Sequence, residues 1–172
     1  MLTLNGSITD QGRWTAGYFD DEAKRASIAA LAQADLLLFG RKTYEQFAPR
    51  WSQVQGDAYF DAVNAKPKVV CSRTLSSVTW NATLLRGDAV DEVRALRSQE
   101  GRAIVSYGIT TLTRALLAHR LVDELRFWVH PVVADGDRVF EHFDGAGLRL
   151  ELVECSRYAS GVAQLAYVPR YT

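Results

Sequence analysis

The sequence predicts an α/β fold with a mixed, mostly parallel central sheet flanked by helices and a C-terminal antiparallel hairpin. Two observations lead to this prediction. Up to Asp123, short apolar runs alternate with segments of helical periodicity, which is typical of parallel strands joined by crossover helices. After Asp123, strands follow one another without helices. No segment has the composition of a linker, so residues 1–172 are predicted to form a single domain.

The chain begins with a predicted strand over residues 1–4, which the turn signal Asn5-Gly6 ends. Residues 7–19 are polar and predict a surface loop, and loops of this length are often functional. A helix is expected over residues 20–33, because two aspartates at its start can cap it and complement its dipole. Four large apolar residues, 36–39, then predict a strand buried on both faces.

The remaining elements continue this alternation as far as the C-terminal hairpin. Pro49 is expected to end the short helix that begins near Lys42, because proline cannot continue the hydrogen-bond ladder. Gly101 is expected to stop a later helix, and Ser160-Gly161 to join the hairpin strands. The other predicted elements are helices over 42–47, 57–64, 89–98 and 108–117, and strands over 68–71, 83–86, 103–106, 125–130, 148–155 and 162–168.

Composition and charge exclude several functional classes. Twenty basic residues balance twenty acidic ones, which argues against bulk binding of nucleic acid but permits a local anion site. No apolar run approaches the roughly 18 residues that span a membrane, and the N-terminus lacks the features of a signal peptide. Cys71 and Cys155 are predicted to be reduced thiols of a cytoplasmic protein. His119, His130 and His142 lack metal-ligand spacing, so no metal is expected.

Three predicted strand ends carry a shared set of glycine, hydroxyl and arginine residues. They are Gly40-Arg41-Lys42-Thr43, Ser72-Arg73-Thr74 and Tyr107-Gly108-Ile109-Thr110-Thr111. In open α/β sheets, ligands bind outside the carboxyl ends of the strands, where helix N-termini favour phosphate. Arginine can hold a terminal phosphate through two bonds. Each junction alone is more often a turn with solvated cations, but the three together indicate a ligand with several phosphates, such as a dinucleotide.

The ordered set of motifs resembles the dihydrofolate reductase superfamily. The similarity is greatest to bacterial proteins related to the C-terminal reductase domain of the bifunctional riboflavin-biosynthesis deaminase/reductase. It covers nearly the whole chain and rests on Thr3-Leu4-Asn5-Gly6, Gly40-Arg41-Lys42-Thr43-Tyr44-Glu45, Ser72-Arg73-Thr74-Leu75, Gly108-Ile109-Thr110-Thr111-Leu112, Leu121-Val122-Asp123-Glu124-Leu125 and His130-Pro131-Val132-Val133.

This resemblance implies a dihydrofolate reductase-like three-layer sandwich with an eight-stranded sheet, and NADPH as the cofactor. Carried over by position, Asn5 and Trp14 would approach the nicotinamide and the substrate. The implied cofactor-binding residues are Gly40, Arg41, Lys42 and Thr43 at the phosphates, Ser72 and Arg73 at the adenosine 2′-phosphate, Arg86 at the adenine, and Gly108, Ile109, Thr110 and Thr111 at the pyrophosphate.

The implied reaction is hydride transfer from NADPH to a small heterocycle, namely a pterin, a pyrimidine or a flavin-related compound. A homodimer is also implied, with Trp128 as a candidate contact. The catalytic residues stay unassigned, because Asn5 replaces the family's aspartate and residues 20–22 are expected to cap a helix. Tyr107 also replaces a family glycine, so its ring must turn away from the pyrophosphate or stack on the ligand. The alternative hypothesis is therefore a catalytically silent NADPH-binding or dimerisation module.

Overall fold

The computed structural model describes residues 1–99, 103–141, 143 and 147–171. The chain folds into two compact units. One unit combines Met1–Lys24 with Val122–Thr172, and the other is Arg25–Leu121. Gly101 and His142, which the sequence analysis singled out, lie outside the described residues.

The unit Arg25–Leu121 contains a four-stranded sheet in which every pair of neighbours is parallel. Its spatial order is β4-β3-β2-β5. The strands are β2 (Leu36–Gly40), β3 (Lys68–Cys71), β4 (Ala82–Leu85) and β5 (Ile104–Ser106). Residues 36–39 of β2 are all at most 2% exposed, which confirms the prediction of a strand buried on both faces.

Helices join these strands as the alternating pattern predicts. They are α3 (Arg41–Trp51), α4 (Ala58–Ala65), α5 (Ala89–Arg97) and α6 (Thr111–Ala118), and α2 (Asp21–Ala32) precedes β2. Asp57 and Asp88 cap α4 and α5 by accepting two backbone N–H groups each. The apolar faces of α4, α5 and α6 supply further core residues, including Val63, Val93, Leu116 and Leu117.

Two predicted helix boundaries are wrong. Pro49 does not end α3, which continues to Trp51, because a proline in the last turn removes only one backbone hydrogen bond. Gly108 does not open α6, because its φ of +82° is left-handed and cannot belong to a right-handed helix. The helix begins instead at Thr111, with Thr110 as its cap.

The other unit contains a mixed four-stranded sheet of order β1-β6-β8-β7. Its strands are β1 (Leu2–Thr3), β6 (Leu125–His130), β7 (Arg149–Arg157) and β8 (Ala163–Arg170). The β1–β6 pair is parallel, whereas β8 is antiparallel to both of its neighbours. The predicted C-terminal antiparallel hairpin is therefore confirmed, and Gly161, with φ +87°, supplies the left-handed residue of its turn.

The predicted loop over residues 7–19 contains a short helix, α1 (Gln11–Trp14). Asp20 caps α2 as expected, since its Oδ1 accepts the Ala23 N–H at 2.9 Å. The candidate dimer contact, Trp128, stacks on Tyr158 of the same chain with ring centroids 4.9 Å apart.

The α/β class, the mostly parallel pairing and the flanking helices are confirmed. Among the described residues, the eight strands are hydrogen-bonded as two sheets of four, whereas the resemblance implied one sheet of eight. None of the helices described is both long and apolar enough to cross a membrane.

Candidate functional site

The parallel sheet of Arg25–Leu121 brings the ends of four strands to one edge. The strands run in the same direction, so the residues that follow β4, β3, β2 and β5 leave the sheet on the same side. Gly40 pairs with Cys71, and Cys71 with Leu85, so three of these strands end in register. The predicted cofactor-binding residues, far apart in sequence, all lie at or just beyond this carboxyl edge.

The first junction is the start of α3. Gly40 is its N-cap residue in an extended conformation and provides no side-chain acceptor for the first helical N–H groups. Lys42 is exposed and has no side-chain hydrogen bond or ion pair within the described part of the chain. The ion pair between Arg41 and Glu45 is 3.7 Å long, and both side chains are about half exposed, so it holds Arg41 weakly. This helix start therefore offers unsatisfied donors and two accessible cations.

The third predicted junction lies beside the first. A Cβ atom added to Gly40 would lie 3.5 Å from the Cβ of Leu112, in the first turn of α6. The turn before α6 is fixed by Thr113, whose hydroxyl donates to the Gly108 carbonyl oxygen at 2.8 Å. Thr110 caps the helix by accepting the Thr113 N–H. The starts of α3 and α6 therefore form adjacent parts of one edge.

The second junction follows β3. Arg73 is exposed and forms no hydrogen bond or ion pair with any described residue. The neighbouring Ser72 is 9% exposed, and its Oγ accepts the N–H groups of Thr74 at 3.2 Å and Leu75 at 3.1 Å. The Ser72 hydroxyl therefore shapes its own loop, and Arg73 is the cation left available for a ligand.

Arg86, at the end of β4, also contacts this loop. Its two terminal nitrogens donate to the carbonyl oxygens of Leu75 and Ser76, at 2.8 and 2.7 Å. The resemblance implied that Arg86 contacts the adenine, but both terminal nitrogens of its guanidinium already donate hydrogen bonds to backbone carbonyl oxygens of this loop.

The Tyr107 side chain packs within a cluster of aromatic rings. Its ring centroid lies 6.2 Å from that of Phe39, 6.3 Å from that of Phe47 and 5.9 Å from that of Trp51. Its hydroxyl is 3.4 Å from the Tyr59 hydroxyl, and burial raises the pKa of both phenols. The ring thus packs within the unit, so this bulky side chain is accommodated where the resemblance led us to expect glycine.

The two predicted substrate residues lie in the other unit. The Asn5 amide nitrogen donates to the Ala134 carbonyl oxygen at 3.1 Å, and its Oδ1 accepts the Ala134 N–H at 3.3 Å. Trp14 donates from Nε1 to the Thr9 carbonyl oxygen at 2.8 Å, and its ring makes a T-shaped contact with the His130 ring, with ring centroids 5.1 Å apart. Both side chains therefore stabilise the local backbone.

Other titratable groups in that unit also have structural partners. Glu22 accepts the Ala159 N–H at 2.9 Å, so this carboxylate ties the start of α2 to the hairpin turn. His130 is 2% exposed and lies against Trp14 and Tyr18, and burial lowers the pKa of its imidazole. Among the described residues, no three His, Cys, Asp or Glu side chains are grouped closely enough to hold a metal ion.

Sequence reasoning missed the roles of Thr113 and Lys68. Lys68, predicted only as a strand residue, is 1% exposed and donates to the carbonyl oxygens of Val63, Asn64 and Lys66 at the end of α4. A lysine within an apolar strand is the one signal in the sequence that points to such a buried role.

Comparison with known proteins gives the family. The RibD C-terminal domain family matches residues 1–164. The chain belongs to the RibD C-terminal domain family. It is 30% identical over 142 residues to the uncharacterized protein YyaP of Bacillus subtilis strain 168, an alignment that covers 80% of this chain and 75% of YyaP.

Solved structures share the fold at lower identity. A candidate riboflavin biosynthesis protein from Shewanella sp. PV-4 is 20% identical with a TM-score of 0.74, covering 99% of this chain and 96% of that one. A diaminohydroxyphosphoribosylaminopyrimidine deaminase/5-amino-6-(5-phosphoribosylamino)uracil reductase from Thermotoga maritima is 15% identical with a TM-score of 0.68, and the match covers 98% of this chain but 54% of the Thermotoga chain.

The third structure is dihydrofolate reductase from Enterococcus faecalis, in a complex with NADP(H). It is 15% identical to this chain with a TM-score of 0.55, and the match covers 79% of this chain and 74% of the reductase. The dihydrofolate reductase-like fold predicted from the sequence is thereby confirmed.

Proposed function

We propose that this protein is an NADPH-dependent reductase that transfers a hydride to a small heterocyclic substrate related to pterins, pyrimidines or flavins. The observation that carries the proposal is the carboxyl edge of the parallel sheet. There the uncapped start of α3 and the exposed Lys42 follow β2, and Arg73, which has no partner in the part of the chain that the structure describes, follows the adjacent strand β3. Donors and cations in that arrangement suit a ligand with several phosphates.

The residues present fit NADPH. Gly40, Arg41, Lys42 and Thr43 would hold phosphate at the start of α3, and Gly108, Ile109, Thr110 and Thr111 would do so before α6. Arg73 would pair with the adenosine 2′-phosphate, since its guanidinium is exposed and has no partner among the described residues. NADPH supplies the hydride when bound, and the chain's own residues bind and orient it.

The family and its structural neighbours support the reaction class. The chain belongs to the RibD C-terminal domain family, the Thermotoga protein is a deaminase/reductase of phosphoribosyl pyrimidines, and the Enterococcus enzyme is a reductase that binds NADP(H). In this proposal, Asn5 and Trp14 shape the substrate side through the backbone that they hold.

We further propose one domain over the whole chain, acting in the cytoplasm as a homodimer. Coverage of 99% of this chain and 96% of the Shewanella protein supports the single domain. Leu152 and Val153 support the dimer, because they are about half exposed on the edge strand β7. Size-exclusion chromatography with light scattering tests the dimer, and a monomer mass at micromolar protein would overturn it.

Thermal unfolding with NADPH and with NADH tests the cofactor. NADPH is expected to raise the Tm more than NADH at equal concentration, because ligands that bind the folded state stabilise it. No stabilisation by either nucleotide would exclude the cofactor assignment.

Turnover is tested by following NADPH absorbance with pterins, folates and diaminopyrimidine ribosides. Oxidation of NADPH that depends on one of these compounds supports the reductase. Binding of NADPH without turnover of any of them supports the second candidate, a silent NADPH-binding module. The observation that favours this candidate is Asn5, an amide held by backbone where the resemblance places an aspartate.

A further inference from the structure

The loop after β3, defined here as Ser72–Ser76, is held from two sides by groups at the carboxyl edge. From within, the Ser72 Oγ accepts the N–H groups of Thr74 and Leu75. From the neighbouring strand, Arg86 donates to the carbonyl oxygens of Leu75 and Ser76. The loop also starts on the sheet ladder, since the Ser72 N–H donates to the Leu85 carbonyl oxygen at 3.0 Å.

None of these hydrogen bonds involves the side chain of Arg73, the cation of this loop. Ser72, Leu75 and Ser76 are each fixed through at least one polar atom, whereas Arg73 extends into solvent without a partner among the described residues. An arginine on a fixed loop loses less conformational freedom on binding an anion than one on a mobile loop.

We infer that Arg86 is a positioning residue for the 2′-phosphate site: it holds the Ser72–Ser76 loop in the shape that presents Arg73, and does not itself contact the nucleotide. This inference rests on the proposed function and goes beyond it, because it makes discrimination between NADPH and NADH depend on a second arginine. It also replaces the adenine contact that the resemblance assigned to Arg86.

The chemistry explains why this position requires arginine. The planar guanidinium places two nitrogens in a fixed fork, and here each nitrogen donates to a different, consecutive carbonyl oxygen. A lysine ammonium has the charge but not the fork, so it cannot reproduce both bonds in the same geometry. Arg86→Lys should therefore hold the Ser72–Ser76 loop less firmly than arginine does, and we do not expect it to be a neutral replacement.

Hydrogen exchange of the protein without nucleotide tests the positioning role directly. In Arg86→Ala, the amides of Thr74 and Leu75 are expected to exchange about tenfold faster, because their loop has lost two hydrogen bonds. In Arg73→Ala, these amides should exchange at the wild-type rate, because Arg73 has no partner in the loop. Arg94→Ala is the matched control, since it removes an exposed guanidinium from α5.

Nucleotide titrations then connect the loop to specificity. Arg86→Ala is expected to raise the Kd for NADPH about tenfold while the Kd for NADH changes by less than about twofold, because NADH lacks the group that Arg73 holds. Arg86→Lys should lie between Arg86→Ala and the wild type in both amide exchange and NADPH affinity.

Each other result has a distinct meaning. Weaker NADPH binding with unchanged amide exchange would overturn the inference, because it would mean that Arg86 contacts the nucleotide directly. Faster amide exchange in Arg86→Ala would also overturn the inference if the affinities for NADPH and NADH fell equally, or if neither affinity fell. Wild-type protein that binds neither nucleotide would overturn the proposed function and the role in discrimination together, while exchange would still measure the loop support.

Discussion

The side-chain amide of Asn5 and the backbone of Ala134, 129 residues apart in sequence, form a two-way pair. Nδ2 donates to the Ala134 carbonyl oxygen at 3.1 Å, and Oδ1 accepts the Ala134 N–H at 3.3 Å. Oδ1 also accepts the hydroxyl of Thr3, at 2.6 Å. Only an amide can donate and accept in this way, which is the physical reason for asparagine at this position.

Asn5→Asp, which introduces the aspartate that the resemblance implies at this position, is therefore expected to destabilise the fold. The carboxylate cannot donate to the Ala134 carbonyl oxygen and would place two acceptors together. Because both hydrogen bonds to Ala134 are exposed, the expected cost is about 0.5–1.5 kcal/mol in the free energy of unfolding. Urea unfolding measures this cost. Gln99→Glu makes the same chemical change at an exposed side chain and is the control. An equal free energy of unfolding for Asn5→Asp and wild type would show that the pair contributes nothing.

Arg73→Ala is expected to weaken the binding of NADPH by about 10- to 100-fold, because charge-assisted hydrogen bonds to the 2′-phosphate are lost. The affinity for NADH should be nearly unchanged. Titration followed by the fluorescence of the reduced nicotinamide measures both constants. Arg94→Ala, which removes an exposed guanidinium from α5 that no predicted phosphate contact involves, should alter neither dissociation constant. Equal losses for the two nucleotides would mean that Arg73 does not recognise the 2′-phosphate.

Tyr107→Gly, which introduces the glycine that the resemblance implies at this position, should destabilise the protein. The partly buried ring packs against Phe39, Phe47 and Trp51, and losing these contacts should cost about 2–3 kcal/mol, less than the loss of a fully buried ring. Tyr107→Phe removes only the 3.4 Å contact with the Tyr59 hydroxyl and should cost less than about 1.5 kcal/mol. Guanidinium unfolding of both variants separates the ring from the hydroxyl, and similar losses in the two would contradict the packing argument.

Lys68→Met is expected to lower the free energy of unfolding by about 2 kcal/mol or more, because three carbonyl oxygens near the end of α4 lose a buried donor. Methionine keeps the apolar part of the side chain, so the decrease in the free energy of unfolding measures the contribution of the ammonium group. The Nζ also lies 4.5 Å from the centroid of the Trp80 ring, a contact that the variant removes. Lys42→Met, at an exposed lysine, is the control.

Lys68 also gives a pH dependence. Burial lowers its pKa from 10.5 to about 8, so above about pH 8 the unfolded chain holds this proton more tightly than the folded chain. The cost of burying the charge is therefore fully present below about pH 8 and is relieved as the pH rises towards 10.5. Wild-type stability relative to Lys68→Met should rise across this interval in urea unfolding. A constant or falling difference would contradict the lowered pKa.

Local signals predicted the parallel sheet well. The apolar run that predicts β2 is a property of neighbouring residues, and the structure has a strand at Leu36–Gly40 followed directly by a helix, as the pattern indicates. The boundaries at Pro49 and Gly108 were wrong because they depend on the exact backbone angles of one turn, which residue type alone does not fix.

The sequence by itself determined the fold class, the family motifs and the set of strand ends at which a phosphate-bearing ligand is expected. These follow from spacing along the chain and from the rule that parallel strands end at one edge. Only the tertiary structure decided which polar groups are already occupied. Ser72 and Arg86 hold a loop, Asn5 holds Ala134, and Arg73 has no partner among the described residues. The physical reason is that a side chain's hydrogen-bond partner is set by distance in space, and these partners lie up to 129 residues away in sequence.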